Sequence, residues 1–295
     1  MKYFIILIAV INFAITPKEY QYKLGIGLNV NWCLFKKDIK YNYYKEGLKV
    51  FDKFNTFRIR FNDKTQLKYL KKVVDATLRA NKIPIIAYDA KMFKQNPNQT
   101  TLDKAKKKWI QVAKVFKNYP DILSFDLIIE PAKKIKKYNE LLNQFYKKTI
   151  KAIRKTNPKR ILFIAPNHIA NPYYLDKLYI PNDKYIMLEW HFFAAGPGFG
   201  KNKFDKQMIE KKVKYGYLFS KYHNLYSWVG AIMPGNYNKG DTFPINKQIE
   251  FIVYIKHLLL DKYHIPFAIN ADGQFYDYRH HTYKRKIVLD NLFNK

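Results

Sequence analysis

Eight times along this chain a short run of β-branched, aliphatic or aromatic residues gives way to a longer, more polar stretch. The runs are Leu24–Asn29, Asn55–Arg60, Ile83–Asp89, Ser124–Glu130, Arg160–Pro166, Tyr185–Phe193, Tyr226–Pro234 and Pro266–Asp272. Between them, stretches such as Thr65–Ala80, Leu102–Asn118, Tyr138–Thr156 and Asn246–Tyr263 place apolar residues three and four apart, the spacing of a helix with one buried face. Such alternation marks repeated βα units around a parallel sheet. Eight units fit a sheet closed on itself, which needs roughly 250 residues and is accommodated by a chain of 295. An open doubly wound sheet would carry fewer strands and commonly a Gly-rich phosphate turn; here Gly25-Ile26-Gly27 lies inside the first strand and no Walker sequence follows any other. The fold expected is therefore α/β, a single (β/α)8 (TIM-type) barrel over residues 17–295, with no internal repeat or linker to divide it.

The first 16 residues read as an export signal or N-terminal tether. Lys2 supplies the positive end and Phe4 to Ile11 an apolar core shorter than the ~18 residues that span a bilayer. A secreted or periplasmic location follows as an expectation, with membrane attachment only through an uncleaved leader. Cys33 is the single cysteine, which excludes an internal disulfide and a cysteine-rich metal site. The formal charge of +31 would suit a polyanion partner, yet only seven of the 54 basic residues are Arg, and the lysines are spread through the whole chain. Dispersed lysines alongside abundant Asn, Tyr, Ile and Phe point to solvated helix faces rather than a specific nucleic-acid surface. Nothing in the sequence calls for a cofactor or an oligomer, and a monomer is expected.

In a barrel of this kind chemistry sits where strands end. Polar residues there include Asn29 and Asn31 after the first strand, Arg58 and Arg60 in the second, Asp89 and Lys91 at the third, Asn167 and His168 after the fifth, Glu189 and His191 in the sixth, and Asn270 and Asp272 at the eighth. Most telling is Glu130-Pro131, which puts a carboxylate where the apolar run Ser124–Ile129 meets a loop. Cleaving a glycosidic bond ordinarily takes two carboxyl groups, one donating a proton and one acting as nucleophile or base.

These residues carry a family resemblance. Gly27-Leu28-Asn29, Phe54 through Ile59, Ala80 through Ile86, Trp109 through Glu130-Pro131, and Tyr146 through Arg160 resemble successive signatures of glycoside hydrolase family five, the cellulase-type retaining glycosidases. The similarity is specific from residue 24 to about 193. It implies that Glu130 is the acid/base and that a second Glu ends strand seven about 5 Å away; the strand-end residues Arg58, Asn29, Asp89, His191 and Asp272 are the candidates for binding substrate. In the segment Ser227–Met233 that position is Ala231, whose methyl group cannot attack a sugar. Other family positions differ too: Ile129 stands where the family has Asn, His191-Phe192-Phe193 where it has His-x-Tyr, Asn270 where it has Trp, and no His matches its strand-three His near Asp89.

Two functions remain open on this reading. One is an exported cellulase- or endoglucanase-type hydrolase of β-linked polysaccharide whose hydrolysis is weak or lost. The other is a non-catalytic barrel, a pseudoenzyme that binds a polysaccharide, an oligosaccharide or an anionic cell-envelope polymer. Each residue likewise has two readings. Glu130 is either the proton donor or one half of a structural ion pair with Arg58, and His191 either faces sugar or packs among aromatic rings. Asp89 or Asp272 could replace the missing carboxylate if it stood ~6.5–9.5 Å from Glu130; Glu189, two residues from His191, should share its inward face. His191, Glu189 and His280-His281 lack metal-ligand spacing, so no metal is expected.

Overall fold

The computed structural model describes residues 14–192, 204–235 and 243–294. The leader's apolar core and Phe193 lie outside these. Eight parallel strands close into one barrel: β1 Ile26–Val30, β2 Thr56–Asn62, β3 Ile83–Asp89, β4 Ser124–Asp126, β5 Leu162–Ile164, β6 Ile186–Trp190, β7 Tyr226–Ile232 and β8 Phe267–Ile269. Pairing of Ile26 with Phe267 joins β8 to β1 and removes the sheet's edges. Among the described residues no helix is long and apolar enough to cross a membrane.

The helix Leu67–Arg79 shows why the intervening stretches are helical. It buries Leu70, Val73, Val74 and Thr77, one stripe at helical spacing, while its lysines face water. The helix Gln99–Val115 begins at Asn98, whose side chain accepts from Thr101 N at 3.0 Å, and buries Leu102, Ala105, Trp109 and Val112. Trp109 then fixes the exit of β4, since its indole N–H donates to Leu127 O at 2.9 Å.

Inside the barrel the side chains form layers. Its N-terminal end is closed by helix α1, Pro17–Leu24, which Thr16 and Glu19 cap reciprocally. Tyr20 and Leu24 of α1 are buried against Ile83, Ile85, Ile161, Phe163, Met187, Trp228 and Ala268. Gly27 is needed here because a Cβ at this position would lie 2.6 Å from the Trp228 ring. The next inward position on several strands is polar, and this second layer is the floor of the mouth.

All eight expected strands are present, but most end earlier than the hydrophobic runs suggested. Strand β4 stops at Asp126, four residues short of Glu130; β7 stops at Ile232, not Pro234; β8 stops at Ile269, and Asp272 opens a helical turn, Asp272–Phe275. Apolar runs outlast the ladders because the residues beyond them are buried under mouth loops. Leu127, Ile128 and Ile129 are all buried, although only single bonds, Leu127 N to Phe163 O and Ile129 N to Tyr88 O, continue the pairing.

Candidate active site

Arg58, on β2, occupies the centre of the second layer. Its Nε donates to Asp126 Oδ2 of β4 at 2.7 Å, its Nη1 donates to Gly230 O of β7 at 3.2 Å, and its Nη2 stands 3.4 Å from Glu189 Oε1 of β6. Asn29 of β1 donates to the same Gly230 carbonyl at 3.0 Å. Arg58, Asp126, Glu189 and Asn29 are all buried, and β4, β6 and β7 each bring a partner to the guanidinium of β2. The expected alternative of an Arg58–Glu130 ion pair is not what forms: the partner is Asp126. Glu130 lies beyond the end of β4 and outside the layer that Arg58 spans, whereas Asp126 points inward from the strand itself.

Above this layer a charge relay runs outward through His191. Its Nε2 contacts Glu189 Oε1, and its Nδ1 lies 3.4 Å from Glu130 Oε1, so one imidazole separates the two carboxylates. The inward pairing of Glu189 with His191 agrees with the two-residue period of a strand. Burial alone would push the His191 pKa down, but the charges and hydrogen bonds of Glu189 and Glu130 overcome it and lift it to about 9. For Glu130, burial works upward, yet the His191 hydrogen bond and charge, with Arg60 and Lys94 nearby, hold the carboxyl at about 2. Desolvation raises Asp126 to about 6 against the pull of Arg58.

Glu130 itself is held in an uncommon backbone conformation, φ 46°. Lys133, His168, Ile169 and Ala170 also have positive φ, and Ile169 N donates to Pro131 O at 2.8 Å, so the turns after β4 and β5 brace each other. Ala170 O in turn accepts from His191 N at 2.8 Å. Backbone strain of order 1 kcal/mol or more per such residue concentrates around the carboxylate, as it often does where geometry serves a site.

The remaining expected residues are distributed as follows. Ala231 is half-buried on β7, one residue beyond the Gly230 carbonyl that Arg58 and Asn29 hold. Asp89 pairs with Lys94 at 2.6 Å, and Lys94 donates to Ile129 O at 2.9 Å, so this pair supports the Glu130 loop from outside. Asp272 accepts from Tyr278 Oη at 2.9 Å in a separate cavity that Glu130 does not line. His280 and His281 are exposed beside Asp277 and Glu46. Among the described residues no group of three or more His, Cys, Asp or Glu is placed to hold a metal ion. The sequence reading passed over Asp126; stepping by two from Ser124 would have turned it inward toward Arg58.

Gly230 is where this packing is least forgiving. A Cβ there would lie 1.9 Å from Glu189 Oε1 and 2.7 Å from its Cδ, and Glu189 cannot yield while Arg58 and His191 grip it. Gly230→Ala is therefore expected to destabilise the fold by at least the ~1–3 kcal/mol of an overpacked core. A thermal melt within a degree of wild type would refute that.

An endoglucanase H from Acetivibrio thermocellus is 25% identical over 199 residues, which is 61% of this chain and 22% of that protein, so the chain spans about a fifth of this relative's length. A hyperthermophilic endo-β-1,4-glucanase solved with substrate superposes with TM-score 0.79 at 22% identity, covering 95% of this chain and all of the other. The cellulose synthase subunit Z of Clostridioides difficile gives TM-score 0.78 at 21% identity over 92% of this chain and all of its own. The endoglucanase Cel5A of Thermotoga maritima gives 0.78 at 18% over 95% and 100%. These structural likenesses show the fold, and the sequence model described as cellulase (glycosyl hydrolase family 5) matches residues 31–231, more than half of the chain. With the barrel and that match in agreement, this chain belongs to glycoside hydrolase family 5.

Proposed function

We propose that this family member is an exported barrel that binds β-1,4-linked glucan or a related polysaccharide, with hydrolysis weak or lost. What supports the reading is that Ala231 stands where the family resemblance puts a nucleophile, and that Glu130 is held ionised by His191. A proton donor must hold its proton near the working pH, and a carboxyl at about 2 does not. Glu189 does not replace the nucleophile, because it is fully buried beneath His191. Loss of a covalent nucleophile lowers turnover by several orders of magnitude. The glucan assignment draws on the endoglucanase relatives; export rests on the apolar leader, and a monomer on the sequence alone.

The test compares wild type with Glu130→Gln on 4-nitrophenyl cellobioside and on soluble β-1,4-glucan. Equal rates, both at the uncatalysed background, are expected. A wild-type rate ten or more times that of the variant would make Glu130 a working acid and overturn the reading.

A further inference from the structure

Arg60 lies one row above Arg58 on β2, on the side of the mouth. Strand alternation turns both inward, and the register that sets Arg58 beside Ile85 sets Arg60 beside Ala87 of β3, whose methyl group takes little of the space. Its charge reaches the mouth, where it helps to hold Glu130 ionised. On the other flank Asn29 pairs with Arg58 and Val30 with Ile59, so Asn31, the residue after β1, follows alongside Arg60. Cys33 Sγ donates to Arg60 O at 3.5 Å and keeps the turn after β1 against the strand.

Arg60 differs from the other arginines withdrawn from solvent, which are all engaged. Arg58 donates to Asp126 and to Gly230 O, Arg154 to Asp183 at 2.6 and 3.0 Å, Arg160 to Leu123 O and Tyr119 O at 2.7 and 2.8 Å, and Arg285 to Gln274 O. Arg60 is half-buried with its Nε shut off from water, yet no described residue accepts from that Nε, and no described carboxylate lies within 4 Å of the guanidinium. The carboxylates nearby are already held: Asp126 by Arg58, Glu189 by Arg58 and His191, and Glu130 by His191. Asn31 Oδ1 is likewise buried without a donor. Other orphaned atoms, Asn29 Oδ1, Asp126 Oδ1 and Glu189 Oε2, belong to the layer beneath.

A desolvated donor and a desolvated acceptor, side by side at the mouth, are groups for an incoming ligand to satisfy. The donor selects the ligand. A guanidinium presents its N–H groups as a planar fork that matches the two oxygens of a carboxylate, and such a charge-assisted pair is roughly twice as strong as a bond to a neutral hydroxyl.

We propose that Arg60 is the acid-recognising residue of the barrel mouth: it takes the carboxylate of a sugar acid in the bound glycan, while Asn31 accepts from a hydroxyl of the same unit. This rests on the glycan-binding reading above and specifies the glycan as acidic. The carboxylate has two possible sources, C6 of a uronosyl unit within a chain or C1 of an aldonate at its end, and Arg60 meets the same chemistry in both.

Calorimetric titration at 150 mM salt, which screens long-range attraction beyond about 8 Å, compares cellotetraose with its form oxidised at every C6 and with its form oxidised at C1 alone. At least one oxidised form is expected to bind ten or more times tighter than cellotetraose, and which one it is tells whether the acid is read within the chain or at its end. Arg60→Gln should erase that preference and leave cellotetraose affinity within about twofold. Lys104→Gln, which removes the same charge from the exposed face of the helix Gln99–Val115, should leave the preference intact. Arg60→Gln strands no described carboxylate, so the variant retains its fold. Arg60→Lys, which keeps the charge without the fork, is the second variant and should lower the preference severalfold. Equal affinity for the neutral and both oxidised forms overturns the acidic class while sparing glycan binding. A preference that survives both Arg60 variants, or that Lys104→Gln erases as fully, belongs to the protein's overall positive charge and overturns the proposal. If none of the three binds, the glycan-binding reading fails and this inference with it.

Discussion

Arg58→Met is expected to lower the stability of the folded chain by about 3–5 kcal/mol, the loss seen when one partner is removed from a buried charge pair. The guanidinium is the shared counter-charge of Asp126 and Glu189, and it also donates to the Gly230 carbonyl. Without it, Asp126 is stranded and Glu189 and the Gly230 oxygen are left with only His191 and Asn29, in a layer closed to water. The denaturant midpoint should fall with the slope of the transition unchanged. Arg58→Met combined with Asp126→Leu should regain part of the loss, because the second substitution removes the stranded carboxylate while Glu189 keeps His191 as its partner. A loss under 1 kcal/mol for the single variant would mean that the network is not what organises the barrel's centre.

Stability should decline as pH rises from 6.5 to about 9, through the titration of His191. The native state holds this proton more tightly than the unfolded chain does, so its contribution is complete below 6.5 and disappears as the pH passes the folded value. The ceiling of the effect is about 3 kcal/mol, from a shift of that size at 1.36 kcal/mol per unit. Neighbouring groups act elsewhere. Asp126 changes stability in the same direction but between 3.8 and about 6, and Glu130, whose pKa is lowered from 4.5 to about 2, contributes stability that is lost only as pH falls through that lower window. A His191→Asn variant should therefore show a melting temperature nearly flat from 6.5 to 9, whereas wild type drops by several degrees. Parallel slopes for the two proteins would remove His191 from the account.

The catalytic reading and these two stability effects share one cause. The barrel's centre is filled by its own ions: Glu189 takes the space over Gly230, Arg58 neutralises it from below, and His191 covers it from above. Glu130 lies outward of them, ionised and on a strained turn. This arrangement holds the charges of the barrel's centre in place.

The amino-acid sequence by itself determined the eight strands, the helices that cover them and the direction in which Glu189 and His191 point. Each of these follows from local periodicity, two residues along a strand and three to four along a helix, which a short window contains in full. Tertiary structure alone decided which charges meet. Arg58 finds Asp126 across 68 residues of chain and Gly230 across 172, and Trp32 meets Tyr278 across 246. Those distances are set by the closure and stagger of the barrel, to which no stretch of sequence is sensitive on its own. For the same reason the early end of β4, which moves Glu130 away from Arg58, and the cavity between the β1 turn and the β8 return exist only once the first strand and the last are joined.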